Sequence, residues 1–347
     1  MSRRIKKSNI RNNPIVNNDI HNNTANLSSI NISTNDNNNI INDGVVNTVT
    51  DSIVQVEHKN NPKCDIFQIY FEPWHAELID RDFTPFKNIG VVSEFYEFDV
   101  FERIAGDRAS DVDGLWGALS WRFGEKTGMT GQELKAQIAA NPGNDIYFCN
   151  PYPQNEALYH NMWVQGETTH PQFLEITRAV FEAAGLPASD LETLMPSQSF
   201  SAANYFVGNK RFWDLYIPFI RRVMGLAEHK LSPAMRDLLH SNKADRMNAH
   251  GGATYVSFIV ERLFPLFLKT AGRKLKAHKL VLPKREAELN VHLRLLREMK
   301  DMACSTRSPW LAACWINYRN LYISQMHGAE WCQTYLRAIT PATISLP

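Results

Sequence analysis

In the middle of the chain, the apolar residues follow two patterns in turn: short strand-like segments and longer segments with helical spacing. Residues 65–71 alternate apolar and polar side chains, which is typical of a β-strand with one buried face. Similar short apolar segments predict three further strands, at 115–121, 145–149 and 203–208. Apolar residues at helical spacing lie between them and predict helices at 94–104, 130–140, 171–184 and 210–224.

Local patterns define the ends of two of these helices. Thr130 stands at an N-cap position, and Glu133 three residues later completes a capping box. Gly185 follows another helix as a well-placed stop, since glycine readily takes the left-handed conformation that ends helices. The alternation of strands and helices predicts an α/β fold with a mostly parallel, Rossmann-like sheet flanked by helices.

The two ends of the chain differ from this middle part. Residues 1–63 are rich in Asn and contain no Phe, Trp or Tyr, which predicts a disordered tail because little surface can be buried. Residues 254–270 predict a buried helix, whereas the mixed charges of 284–302 are typical of a solvated helix face. We therefore predict a folded domain at 64–270 and a helical C-terminal extension at 271–347.

Composition excludes several classes of protein. The 347 residues are 44% apolar, enough for one large domain or two modest ones. With 37 basic and 36 acidic residues, the net charge of +1 does not attract nucleic acid. The five cysteines form no C-x-x-C pair, so neither a disulfide framework nor a zinc site is indicated. No apolar run reaches about 20 residues, and we expect a cytoplasmic protein, at most peripheral at the inner face of a membrane.

The common nucleotide-binding and hydrolase motifs are absent, including the P-loop, the dinucleotide-binding glycines, the nucleophile elbow and H-E-x-x-H. One short acidic motif remains, formed by Asp111 and Asp113. Its two carboxylates could hold Mn²⁺ or Mg²⁺ against a diphosphate. The same pattern is common on protein surfaces that bind no metal, and that alternative stays open.

Six segments follow one another in a recognisable order: KNIG at 87–90, WGALSWRF at 116–123, NDIYF at 144–148, ANYFV at 203–207, FWDLY at 212–216 and TYVSFIVERLF at 254–264. Taken in this order, they resemble a family of glycosyltransferases from bacterial capsule, exopolysaccharide and lipopolysaccharide clusters. The resemblance covers about residues 65–269. It implies a GT-A-like fold, a nucleotide-sugar donor as co-substrate, and a glycan or lipid-linked acceptor in surface polysaccharide synthesis.

Polar residues near the predicted strands then become candidates for glycosyl transfer. A departing diphosphate needs cations, the base and sugar need aromatic and amide groups, and an inverting reaction needs a carboxylate to deprotonate the acceptor. We expect catalytic roles for Asp145 and His160. The expected donor contacts are Trp74, His75, Arg122, Lys126 and Asn204, and the expected acceptor contacts are Trp163 and Gln165. Asp111 and Asp113 precede the Trp116 strand, whereas the family's metal-binding acids close a strand after it.

Each candidate also has a structural explanation. Arg122 and Lys126 could form surface salt bridges, Asp145 could cap the preceding turn, and Trp74 could pack in the core. A lone His such as His160 is often structural or simply exposed. If the side-chain amide of Asn204 is buried, it must find a hydrogen-bond partner, either a ligand or the backbone. Glu261 beside Arg262 on an apolar helix predicts a buried ionic anchor.

Two other functions stay open at the level of sequence. The chain could be a noncatalytic carbohydrate-binding or assembly protein derived from a transferase, which would bind glycans but no nucleotide. It could also be a glycosidase that uses a carboxylate pair, with candidates Glu72, Glu77, Asp111 and Asp113. The strand and helix alternation and the absence of a repeated barrel unit disfavour the glycosidase.

Overall fold

The computed structural model describes residues 63–108, 114–244, 252–337, 340 and 344–347. These described residues belong to one compact unit. The disordered tail predicted for residues 1–63 lies outside the described residues, except for Lys63. The predicted metal ligands Asp111 and Asp113 also lie outside them.

Strands and helices alternate through most of the described chain. The strands are β1 (Cys64–Tyr70), β2 (Thr84–Lys87), β3 (Leu115–Ser120), β4 (Ile146–Phe148), β5 (Phe206–Asn209) and β6 (Ala277–Lys279). The first helices are α1 (Glu97–Asp107), α2 (Phe123–Thr127), α3 (Gly131–Ala140), α4 (Pro153–Leu158), α5 (Met162–Thr169) and α6 (Phe173–Ala184). The later ones are α7 (Lys210–Lys230), α8 (Pro233–Leu239), α9 (Tyr255–Lys269), α10 (Pro283–Ala287), α11 (Val291–Thr306) and α12 (Pro309–Trp331).

The strands form one mixed sheet in the order β2-β1-β3-β5-β4-β6. β1 is parallel to β2 and β3, and β4 is parallel to β6. β5 is antiparallel to both of its neighbours. The prediction of an α/β fold with a mostly parallel sheet is confirmed, with β5 as the reversed strand.

The sheet separates two apolar cores. On one face, Trp116, Phe148 and Phe206 pack with α1, α6, α7 and α9. On the other face, Tyr147 and Tyr205 pack with α2 and α3. A smaller third core joins α4 to α11 and α12. Helices therefore cover both faces of the sheet, as a parallel sheet with apolar strands requires.

The helix ends predicted from local patterns are observed. The Thr130 hydroxyl accepts a hydrogen bond from the Glu133 amide at 3.2 Å, and the Glu133 carboxylate accepts one from the Thr130 amide at 2.7 Å. Gly185 ends α6 with a φ of 68°, in the left-handed region that glycine favours.

Other predictions need correction. Residues 162–165, for which no helix was predicted, begin α5, and the Asn161 side chain caps this helix by accepting hydrogen bonds from the amides of Trp163 and Val164. The charged segment 284–302 is not a wholly solvated helix, because Lys300 on α11 is fully buried. Its Nζ donates a hydrogen bond to the carbonyl oxygen of Tyr159 at 3.0 Å, which satisfies one donor of this buried cation.

The C-terminal part of the chain contributes to the sheet. β6 pairs with β4, with Ala277 opposite Ile146. The domain boundary predicted at residue 270 therefore falls inside the region that forms the sheet. Among the described helices, none combines the length and apolar character that crossing a bilayer requires.

Candidate functional site at the carboxyl edge of the sheet

The parallel strands end together at one border of the sheet, here called the carboxyl edge. β1 ends there at Tyr70, β3 at Ser120 and β4 at Phe148, and the reversed β5 begins there at Phe206. After β1, the chain forms β2 on one side of β1 and then β3 on its other side. Such a switch point is where open α/β sheets bind ligands.

An aromatic group follows β1 and β3 at this edge. His75 stacks on Trp121, with ring centroids 3.9 Å apart, and Trp74 meets Trp121 edge-on at 5.2 Å. Trp74 is 56% exposed, whereas His75 is 6% exposed. Trp74 is therefore available to a planar ligand, and His75 supports the ring beside it.

His75 is held as a neutral ring. Its Nδ1 accepts hydrogen bonds from the amides of Phe71 at 3.3 Å and Glu72 at 3.2 Å, so its proton lies on Nε2. Burial lowers the pKa of His75, against the opposing charge of Glu72. His75 therefore shapes the turn after β1 and contributes no positive charge at neutral pH.

Arg122 is engaged by a neighbour. Its guanidinium donates two hydrogen bonds to the Glu125 carboxylate, at 2.9 Å and 2.6 Å. This is the surface salt bridge that the sequence left open, and the hydrogen bonds that Arg122 donates to Glu125 raise the pKa of Arg122. A bidentate partner offsets much of the charge that a phosphate would meet.

Lys126 is in a different position. Its Nζ lies 6.0 Å from the ring centre of Tyr205, and no described carboxylate forms an ion pair with it. Burial alone would lower the pKa of Lys126, but the surrounding Tyr205, Tyr152, Glu261 and Glu97 outweigh burial and raise it. The lysine is therefore a half-buried cation at neutral pH, and an anionic ligand would complete its environment.

Two buried amides lie at the same edge with unused acceptors. Asn150 is 3% exposed and Asn204 is 7% exposed, and Oδ1 of each accepts no hydrogen bond from any described residue. The register that pairs Phe148 with Phe206 places Asn150 opposite Asn204. The amide nitrogen of Asn150 already donates to Glu156 at 2.7 Å. Buried acceptors of this kind normally find partners, which indicates a ligand with hydroxyl or amide donors.

Two carboxylates approach this edge from helices on one face of the sheet. Glu97 begins α1, directly after Tyr96, whose φ of 48° is rare for a residue other than glycine. Glu261 lies on α9 and keeps 29% of its side chain exposed. We call Glu97, Lys126, Asn150, Asn204, Tyr205 and Glu261 the carboxyl-edge cluster.

The side chains of the carboxyl-edge cluster indicate what kind of ligand it can bind. The chain matches no protein-family model, no curated protein and no solved structure. Among the described residues, a cation without an ion-paired carboxylate, two amide oxygens without hydrogen-bond partners and a nearby exposed indole are groups that bind a polar, anionic and partly aromatic ligand.

Asp145 lies at the opposite edge of the sheet. It precedes β4, and its carboxylate accepts hydrogen bonds from the Asn209 amide at 2.9 Å and the Lys276 backbone at 2.8 Å. Arg211 forms an ion pair with it at 3.4 Å. The structure therefore gives Asp145 a role in joining the starts of β4 and β6, away from Trp74 and Lys126.

Of the other sequence candidates, His160 and Trp163 are buried and Gln165 is half-buried. His160 is fully buried against Trp315, and burial, with Arg319 and Lys300, lowers its pKa well below the usual range. Trp163 is 1% exposed and packs on Phe181. Gln165 accepts a hydrogen bond from Arg262 at 2.8 Å. This placement does not suit contact with a sugar, because these polar atoms face protein.

No metal centre is found within the part of the chain that the structure describes. There, no three His, Cys, Asp or Glu side chains converge as a metal site requires.

Sequence reasoning found five residues near this edge and missed others. Trp74, His75, Arg122, Lys126 and Asn204 all follow or precede strands at the carboxyl edge. Glu97, Asn150 and Tyr205 were not singled out, and Glu261 was assigned to an ionic anchor. Asn150 and Tyr205 could have been found from their position beside the predicted strand ends, whereas Glu97 and Glu261 required knowledge of helix placement.

Proposed function

We propose that the chain is a glycosyltransferase that moves a sugar from a nucleotide-sugar donor to a glycan or lipid-linked acceptor. The observation that carries this proposal is Lys126, a half-buried cation without a carboxylate partner among the described residues. It lies in a cluster that also offers free amide acceptors from Asn150 and Asn204. A diphosphate is the part of the donor that such a cation would bind.

The remaining parts of the donor have matching groups nearby. The exposed indole of Trp74 offers a stacking surface for the base. The hydroxyl groups of the sugar are donors for the free Oδ1 atoms of Asn150 and Asn204. The α/β architecture and the location at the carboxyl edge support the same interpretation, since this is the usual ligand position in such sheets.

The acceptor class follows from the resemblance to transferases of capsule, exopolysaccharide and lipopolysaccharide synthesis. We propose a cytoplasmic reaction on a glycan or lipid-linked acceptor, with contact to the membrane at most at its surface. Lys126 would offset the negative charge that develops on the departing diphosphate.

The test is donor binding by isothermal titration calorimetry, with a panel of nucleoside diphosphates and nucleotide sugars and the full chain. We expect one donor to bind selectively. Lys126→Met should weaken that affinity about 10- to 100-fold, since hydrogen bonds to charged groups contribute about 1.5–3 kcal/mol. Lys210→Met is the matched control, because Lys210 is on α7 and pairs with Asp214 at 2.8 Å.

Two results would count against the transferase, and a third would count against its phosphate site. If no nucleotide or nucleotide sugar binds, the donor site does not exist. If glycans bind under the same conditions, the noncatalytic carbohydrate-binding protein becomes the better interpretation. If Lys126→Met and Lys210→Met lose affinity equally, the carboxyl-edge cluster is not the phosphate site.

A further inference from the structure

Glu261 and Arg262 are neighbours on α9 but have different environments. Arg262 is 4% exposed, and its guanidinium donates hydrogen bonds to three oxygens, those of the Met162 and Phe258 carbonyls and the Gln165 side chain. Its contact with the Glu261 carboxylate is longer, at 3.5 Å. Consecutive helical residues point about 100° apart. Arg262 therefore anchors α9 through these three oxygens, and its longer ion pair with Glu261 leaves 29% of the Glu261 side chain exposed.

Phe264, one turn later on α9, shows where Glu261 lies relative to the sheet. The Phe264 ring stacks on Phe206 at 4.9 Å and meets Phe148 edge-on at 5.1 Å. Residues three apart share a helix face, so Glu261 is on the same side of α9. The end of α9 leads to β6, which starts at the opposite edge. Glu261, one turn before Phe264 on α9, is therefore closer to the carboxyl edge.

β4 and β5, which lie beneath Phe264, also lead to the carboxyl edge. Asn150 follows Phe148 by two residues and Asn204 precedes Phe206 by two, just beyond the ends of β4 and β5 at the carboxyl edge. Their Oδ1 atoms are buried and have no hydrogen-bond partner among the described residues. The Glu261 carboxylate approaches the same edge from α9.

The charged groups that act on Glu261 come from three elements. α1 contributes Glu97, α2 contributes Lys126 and α9 contributes Arg262. Burial is the largest influence and raises the pKa of Glu261 to about 7, opposed by Arg262 and Lys126 and reinforced by Glu97. A carboxyl group with this pKa gains and loses a proton close to neutral pH, as a general base must.

We propose that Glu261 is the catalytic base of the transfer and that Asn150 and Asn204 hold the acceptor sugar against it. This inference rests on the proposed glycosyltransferase function. The Oδ1 atoms accept hydrogen bonds from hydroxyl groups that do not react, which turns the attacking hydroxyl towards Glu261.

The step balances without a further reactant. The acceptor oxygen forms a bond to the anomeric carbon while its proton passes to the Glu261 carboxylate. The bond between the anomeric carbon and the donor phosphate oxygen breaks, and its electron pair stays on the nucleoside diphosphate. Lys126 lies within electrostatic range of Glu261 and offsets that charge. Attack opposite the leaving group inverts the anomeric configuration.

The test compares Glu261→Gln with the wild-type chain, using the donor found by calorimetry and an acceptor that supports turnover. Glu261→Gln should bind the donor within about 3-fold of wild type, because it keeps the side-chain shape. Its kcat should fall by about 10²- to 10⁴-fold, the usual effect of a lost general base. Wild-type kcat should rise with pH and level off above an apparent pKa near 7, and Glu261→Gln should lose this rise. Glu298→Gln, on the exposed part of α11, is the matched control.

Several outcomes separate this inference from the proposed function. If Glu261→Gln binds donor and keeps kcat within about 3-fold of wild type, Glu261 is not the base. The inference is also overturned by a product with retained configuration, or by an unchanged pH profile in the variant. If the wild-type chain binds no donor, the proposed function fails first, and this result is visible without any variant.

Discussion

The ring of His75 stacks on the indole of Trp121, with centroids 3.9 Å apart and planes inclined by 17°. His75 follows β1 and Trp121 follows β3. The contact therefore joins the segments that follow two strands at the switch point of the sheet, and the exposed Trp74 packs against both of its rings.

This contact predicts that Trp121→Ala destabilises the fold and loosens the Trp74 surface. We expect a loss of about 2 kcal/mol in the free energy of unfolding, less than for a fully buried tryptophan. Trp310→Ala is the control, because Trp310 is 81% exposed on α12 and its loss should change stability by less than about 0.5 kcal/mol. Urea unfolding of both variants measures the difference, and equal effects would show that the stack contributes nothing.

Gly117 provides a prediction about the centre of the sheet. A Cβ at this position would lie 2.4 Å from the carbonyl oxygen of Phe206 on β5. Gly117→Ala must push the two strands apart, and we expect a destabilisation of about 1–3 kcal/mol or more. Gly225→Ala on α7 is the matched control, since nothing lies within 4 Å of its added methyl group.

The control should change in the opposite direction. Alanine is favoured over glycine inside a helix by roughly 1 kcal/mol, so Gly225→Ala should raise the melting temperature while Gly117→Ala lowers it. Both are measured by thermal unfolding under one set of conditions. A stable Gly117→Ala variant would contradict the close approach of β3 and β5.

Lys300 predicts an unusual dependence of stability on pH. Burial lowers its pKa to about 8, although Asp301 and Glu156 oppose this. The unfolded chain binds the Lys300 proton more strongly, so the free energy of unfolding should rise between about pH 8 and the ordinary pKa of 10.5. Below that window, the folded state carries the cost of a buried ammonium group.

The measurement is the difference in unfolding free energy between the wild-type chain and Lys300→Met across this pH range. The difference should change in favour of wild type by an amount on the order of 1–3 kcal/mol. Lys210→Met, at an ion-paired surface lysine, should show no such change. A flat difference for Lys300→Met would mean that Lys300 has an ordinary pKa.

Local patterns in the sequence predicted local features of the fold well. The capping box of Thr130 and Glu133 and the stop at Gly185 depend on residues only a few positions apart. Most strands were also located, because their apolar periodicity is local. The direction of β5 was not predictable in this way, since a period of two is the same in both directions.

The candidate site was predicted less completely for a related reason. Trp74 and Lys126 follow strands, and the structure has both near the carboxyl edge. Asp145 precedes its strand, and in a parallel sheet this position belongs to the other edge. Glu261 was grouped with Arg262 because they are adjacent in sequence, yet a helix turns adjacent side chains in different directions. The burial of His160 depends on α12, more than 140 residues later.

The reversal of β5 has a consequence for the path of the chain. β4 ends and β5 begins at the same edge, and the amide of Cys149 donates a hydrogen bond to the Tyr205 carbonyl at 3.1 Å. The whole excursion between them, with α4, α5 and α6, therefore leaves and re-enters the sheet at one point. Asn150 and Asn204, far apart in the sequence, thus become neighbours at the two junctions of this excursion.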